Sequence, residues 1–331
     1  MKKILLCLIA LLLITGCTNK SSNELNVLNW TSYIPDDVIS DFEEEYNIKV
    51  NYGTYSSNEE LLAKLSSSKK GTYDVVFPSD YMVSLMKEKK MLKKIDKDRF
   101  TNLGNINSLF LNQEYDLDND YSLPFLLATS VLAVNTENIK EDITSYRDLL
   151  NSKYKNDIVL IDDQRIIIGA CLQANGYDIN DTSDSHLEEA KEFFLQMKPN
   201  VKAFDSDSPK TFLMTKEVNI GLLWNAEALL AQEYNPHIKI IYPKDGYALS
   251  MDNYCIVKGS KNVDNAYLFI DYLLRDDIAK RIVDEYPYIA TNKNISQMSN
   301  KKLKKILKNG RYIRNIGSSI KKYDKTWAKM K

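Results

Sequence analysis

Asn26-Val27-Leu28-Asn29-Trp30, a turn, and then Pro35-Asp36-Asp37-Val38-Ile39 open the pattern that decides the fold class. The first string reads as a strand. Pro35 suits the first turn of a helix, where its missing N–H is not needed, and the two acids after it complement the positive end of the helix dipole. Val38, Ile39, Phe42 and Tyr46 then recur at helical spacing, and Ile48, Val50 and Tyr52 alternate as a second strand. Asn58 is placed to cap a helix running through Leu61, Leu62 and Leu65. Asp74-Val75-Val76-Phe77 is a short apolar strand of the kind buried in a parallel sheet, closed by Pro78. The order βαβαβ puts this part of the chain in the α/β class.

Beyond it, residues 121–134 form a long extended run, and a second α/β set follows. Asp157 to Ile161 and Val218 to Leu223 read as strands, Ile166 to Leu172 begins a helix, and Asn265 to Arg275 forms another. The chain has 331 residues, against the ~100–200 of one domain. Two α/β lobes joined by extended strands are therefore expected. Hydrophobic residues are 44 % and charged residues 27 %, which excludes a disordered chain, a collagen-like fibre or a polytopic membrane protein. With 11 glycines no phosphate-cradling loop motif is present. His186 and His237 belong to no metal-binding or triad motif, no Cys-x-x-Cys occurs, and Cys171 and Cys255 sit in apolar strings suited to buried free thiols. No metal, cofactor or catalytic group is expected.

Residues 1–16 read as a signal segment, with Lys2 and Lys3 before an apolar stretch from Ile4 to Ile14 that is too short to span a bilayer. Ile14-Thr15-Gly16-Cys17 is similar to the lipobox of bacterial lipoproteins, so Cys17 is the expected lipidation site and 17–24 a polar tether. An exported protein anchored to the outer face of a bacterial membrane, or on the periplasmic side, follows. Residues 301–331 carry a net charge of +11, read as the solvated faces of terminal helices with Leu303, Ile306 and Leu307 docked inward. Without the signal and this tail the remaining body is at −14, which favours approach of a cationic ligand.

Aromatic and small polar residues gather at the carboxyl ends of the expected strands: Trp30-Thr31-Ser32-Tyr33, Pro78-Ser79-Asp80-Tyr81, Asp162-Asp163, Trp224-Asn225-Ala226-Glu227 and Met251-Asp252. Ligands of open α/β sheets sit beyond those ends. Aromatic faces beside carboxylates suit a flexible organic cation, because rings cover methylenes and carboxylates take the charge.

At these residues the chain resembles the spermidine/putrescine-binding lipoproteins of polyamine ABC importers. The likeness runs from Leu28-Asn29-Trp30-Thr31-Ser32-Tyr33-Ile34-Pro35 through Tyr73-Asp74-Val75-Val76-Phe77-Pro78-Ser79, residues 200–207 and Gly221-Leu222-Leu223-Trp224-Asn225 to Tyr286-Pro287. It implies a two-lobed, periplasmic-binding-protein-like fold of the Venus-flytrap kind (type II) with the ligand between lobes. The lobes are set at 25–132 with 253–296, and at 133–252 with 297–331. It implies a monomeric binder, not an enzyme, that hands a polyamine to permease and ATPase subunits and has no nucleic-acid partner. By position Trp30, Thr31, Tyr33, Ser79, Tyr81, Asp163, Trp224, Asp252 and Tyr286 match the family's ligand-binding residues, and Glu227 stands where putrescine-preferring relatives carry an acid. Ile166, Ser250 and Ile313 depart from the spermidine pattern by one acid, one stacking face and one amide, which leaves a shorter diamine at least as well suited. The likeness also places Cys171 and Cys255 in different lobes. Another organic cation or other solute on the same fold, and an exported enzyme, are the alternatives left open.

Overall fold

The computed structural model describes residues 23–331; the expectations placed on the signal segment, on Cys17 and on most of the tether lie outside them. The strands are β1 (Glu24–Trp30), β2 (Lys49–Tyr55), β3 (Val75–Val76), β4 (Leu123–Asn135), β5 (Ile158–Leu160), β6 (Val201–Phe204), β7 (Ile220–Trp224), β8 (Ile238–Ile241), β9 (Tyr247–Ile256), β10 (Ile289–Ala290) and β11 (Gly310–Tyr312). Eight of them run in the order β2-β1-β3-β9-β4-β7-β5-β6, with β8 and β10 also paired to β4 and β11 to β9. At one end β1 pairs in parallel with β2 and β3, and at the other β5 pairs in parallel with β6 and β7. These are two α/β sheets, and strands β4 and β9 lie between them.

Helices cover both faces of each sheet, and the side-chain alternation of the strands shows it. Leu25, Val27, Val75 and Phe77 enter one core, while Leu28, Val76 and Cys255 enter the core on the opposite face. In the second lobe Ile158, Leu160, Ile220 and Leu222 face one core, and Val159 and Leu223 the other. Helix Asp36–Tyr46 follows Pro35 as its sequence indicates, and ends at Asn47 in the left-handed conformation (φ 52°). Cys171 and Cys255 are both free and buried, in separate cores.

β4 is buried along all thirteen residues and serves both lobes. Leu123 to Thr129 pair with β9, whereas Ser130 to Val134 pair with β7 and Leu132 to Asn135 with β8. Pro124, which has no N–H to give a ladder, sits at a register shift beside Leu126. β9 likewise changes company: Tyr247 to Leu249 pair with β11, and Cys255 and Ile256 with β3. The strands thus exchange partners at Thr129/Ser130 and just after Leu249.

Candidate functional site

A cleft of about 540 Å³ opens where the carboxyl ends of β1, β3, β5 and β7 face one another. All ten residues singled out from sequence line it: Trp30, Thr31, Tyr33, Ser79, Tyr81, Asp163, Trp224, Glu227, Asp252 and Tyr286. So do Ile166, Ser250 and Ile313. β1 ends in Trp30, whose indole N–H donates to the Phe77 carbonyl at 2.9 Å, and Tyr55 O–H donates to the same oxygen at 2.7 Å. The Trp30 and Tyr55 rings lie 4.7 Å apart. Ser32 then takes a positive φ of 56°, a costly conformation for a residue with a Cβ, and the chain turns so that Tyr33 is buried against the cleft.

Asp252 is the polar centre. It is 2 % exposed, with Tyr33 O–H donating to one carboxylate oxygen at 2.7 Å and Ser79 Oγ–H to the other at 2.6 Å. Burial pushes its pKa up to about 7, against the opposing pull of Ser79, Tyr33 and Trp30. Burial and the neighbouring Asp252 charge hold the Tyr33 phenol well above its usual value, so it remains a donor. No lysine or arginine among the described residues pairs with Asp252. Tyr288, two residues beyond Tyr286, sets its ring 4.7 Å from that of Tyr33 at a tilt of 35° and completes the aromatic wall.

Asp163 caps the helix Gln164–Ala174: Oδ1 accepts from Arg165 N–H at 2.7 Å and from Ile166 N–H at 3.1 Å. Its other oxygen has no hydrogen-bond partner among the described residues. Burial raises the pKa of this carboxyl. Glu227 is differently placed. Its Oε1 is 2.7 Å from Lys210 Nζ, so the acid expected to be open to a ligand already carries a protein cation. Ile166 and Ile313 are buried in the second lobe's core, and with Ile161 make that end of the cleft apolar.

Six acids and two bases line the cleft, a balance that suits a cation. Of the remaining acids, Asp162 pairs with Lys331, Glu59 accepts from Tyr81 O–H at 3.1 Å, and Asp207 is exposed. Arg165 is buried in the cleft floor, donating to the Arg314 carbonyl and to Asn180 Oδ1. Sequence reading missed Tyr288, Lys210 and Arg165. Tyr288 adjoined a quoted string; Lys210 and Arg165 carried no motif to mark them.

Known proteins are similar to this chain over most of its length. The family model for bacterial extracellular solute-binding proteins matches residues 37–309. The spermidine/putrescine-binding periplasmic protein of Escherichia coli (strain K12) is 35 % identical over 320 residues, covering 94 % of this chain and 92 % of that protein. A putrescine/cadaverine-binding protein of Pseudomonas aeruginosa is 30 % identical over 303 residues, covering 86 % of this chain and 83 % of its own. A solved structure of a putative spermidine/putrescine ABC transporter protein from Listeria monocytogenes superposes with a TM-score of 0.87 at 31 % identity, over 93 % of this chain and 99 % of that one.

Proposed function

This chain belongs to the bacterial extracellular solute-binding proteins, and on that premise we propose that its cleft captures a linear polyamine, foremost a diamine of the putrescine kind, for delivery to the permease and ATPase of an ABC importer. The observation that carries the reading is Asp252, a buried carboxylate held by two neutral hydroxyl donors beneath an aromatic wall. Taking a carboxylate out of water is unfavourable unless a cation offsets it. A ligand ammonium supplies that cation, the rings of Trp30, Tyr33, Tyr288 and Trp224 cover the methylenes, and Asp163 takes the second ammonium. Titration calorimetry with putrescine, cadaverine, spermidine, spermine and agmatine tests this; five silent titrations overturn it.

Capture requires the lobes to close by rotation about the crossover strands. The exchange of strand partners at Thr129/Ser130 and just after Leu249, and the bonds of Asp252 to Tyr33 and Ser79 of the first lobe, support a hinge a few residues from 132/133 and 252/253. Trp30 and Trp224 make closure visible as a change in tryptophan fluorescence on binding.

The pH dependence follows from Asp252. With its pKa near 7, the empty site holds a proton that the unfolded chain, at an ordinary carboxylate pKa, has released. The contribution of Asp252 to the stability of the empty protein therefore falls as pH rises from about 4 to 7. An ammonium favours the charged carboxylate, so binding releases that proton. Affinity should weaken by up to about tenfold per unit below pH 7 and level off above about 8, since the amines stay protonated throughout. Calorimetry in buffers of different ionisation enthalpy reads the proton directly; equal affinities at pH 6 and 8 would contradict it.

Asp163→Asn should separate two roles. Asparagine caps as well as aspartate, so the melting temperature should hold while diamine affinity drops roughly tenfold or more for want of a charge partner. Asp163→Ala should lose the same affinity and about 1 kcal/mol of stability as well. An Asn variant that binds like the parent removes Asp163 from the ligand site.

The protein is further proposed to act as an exported monomer held at the membrane by a lipid on Cys17. Cys17→Ser should abolish detergent partitioning and the diacylglycerol mass on the N-terminal peptide, with diamine affinity unchanged. A parent protein without that mass would dismiss the anchor.

A further inference from the structure

Lys210 opens the short helix Lys210–Met214, and Glu227 lies in the first turn of Asn225–Tyr234, in the same lobe. Lys210 Nζ is 2.7 Å from Glu227 Oε1 and 3.3 Å from Ser208 Oγ, and the Lys210 backbone N–H donates to Glu227 Oε2 at 3.3 Å. Both side chains line the cleft and are largely shielded, at 24 % and 14 % exposed. One lysine thus engages both oxygens of the acid.

We propose that Lys210 is a built-in competitor for a ligand ammonium and selects diamines over triamines. The inference rests on the polyamine reading and names the residue that sets ligand length. Asp252 and Asp163 form no ion pair with a lysine or arginine and are shielded from solvent, ready for two ammonium groups; Glu59 and Asp207 form none either, but both are exposed, where water screens a charge pair. A third ammonium finds little else. Asp162 is taken by Lys331, Ile166 and Ile313 offer no polar atom, and Glu227 is occupied. To use Glu227, a triamine must displace Lys210 and leave that lysine unpaired, or lie beside its like charge in a cleft shielded from water, where repulsion is stronger than in bulk solvent. A diamine avoids both.

The test compares putrescine and spermidine by titration calorimetry on the full-length protein and its variants, with melting curves to confirm folding. Lys210→Gln should strengthen spermidine binding at least tenfold while changing putrescine binding less than threefold. Lys210→Met removes the charge while retaining the stem, and should do the same. Lys210→Arg keeps a cation on Glu227 and should retain the parent ratio. The double variant Lys210→Gln/Glu227→Gln should lose the gain, since no carboxylate is uncovered. If the spermidine-to-putrescine ratio stays within twofold in Lys210→Gln and Lys210→Met while both amines bind, the competitor role is overturned and the polyamine reading stands. If neither the parent nor these variants bind any amine, both fall.

Discussion

Asp252→Asn should reduce polyamine affinity by roughly 30-fold to several-thousand-fold, the equivalent of about 2–5 kcal/mol for the loss of one buried charge partner. The amide keeps the shape of the side chain and can still meet Tyr33 O–H and Ser79 Oγ, which lie 2.7 and 2.6 Å from the carboxylate. What disappears is the charge. The same substitution should leave the empty protein at least as stable as its parent at pH 8, because a buried carboxylate with no cationic partner among the described residues is no longer held ionised. Lost affinity with undiminished stability is the signature of a residue shaped for ligand rather than for the fold. Paired calorimetry and urea unfolding at pH 8 read both. Parent-like affinity in Asp252→Asn would mean that the cation binds elsewhere.

Asp74→Ala should destabilise the first lobe by about 3–5 kcal/mol, since it strands several buried donors at once. Asp74 is fully buried, and its two oxygens accept from Asn26 N–H at 2.8 Å, Asn26 Nδ2 at 3.0 Å, Ser260 Oγ at 2.6 Å, and Asn262 Nδ2 and N–H at 3.0 and 3.3 Å. It ties β1 to the start of β3 and to the loop after β9, and β3 in turn delivers Ser79 to Asp252. The melting midpoint should drop by roughly 6–15 °C, and Asp74→Asn, which keeps one acceptor, by less. A change under 1 °C in Asp74→Ala would show that these bonds are replaced by water at little cost.

Much of the fold was legible because periodicity is local. The alternation at Ile48, Val50 and Tyr52 and the helical spacing from Val38 to Tyr46 each need only their own neighbours to be read, and both elements stand where expected. Capping was read one residue off. Asn58 has the right chemistry, but Ser57 Oγ accepts from Glu60 N–H, and Asn58 Oδ1 accepts from Ser79 N–H at 3.2 Å. Two adjacent residues were equally able to cap, and a contact 21 positions away chose between them.

The sequence by itself determined the α/β class, the extended run that became the shared strand β4, and the gathering of aromatic and acidic residues at strand ends. These follow from side-chain period and from the rule that ligands sit beyond the carboxyl edge of an open sheet. Only the tertiary structure decided what state those residues are in. Tyr33 and Asp252 are 219 positions apart, and their hydrogen bond exists because β9 runs beside β3. The raised pKa of Asp252 comes from burial, which depends on every element packed over it. Lys210 reaches Glu227 because two helices meet, and nothing in either local string marks the pair. Local pattern specifies which groups approach the cleft; their charge and partners are set by long-range contacts and by the exclusion of water.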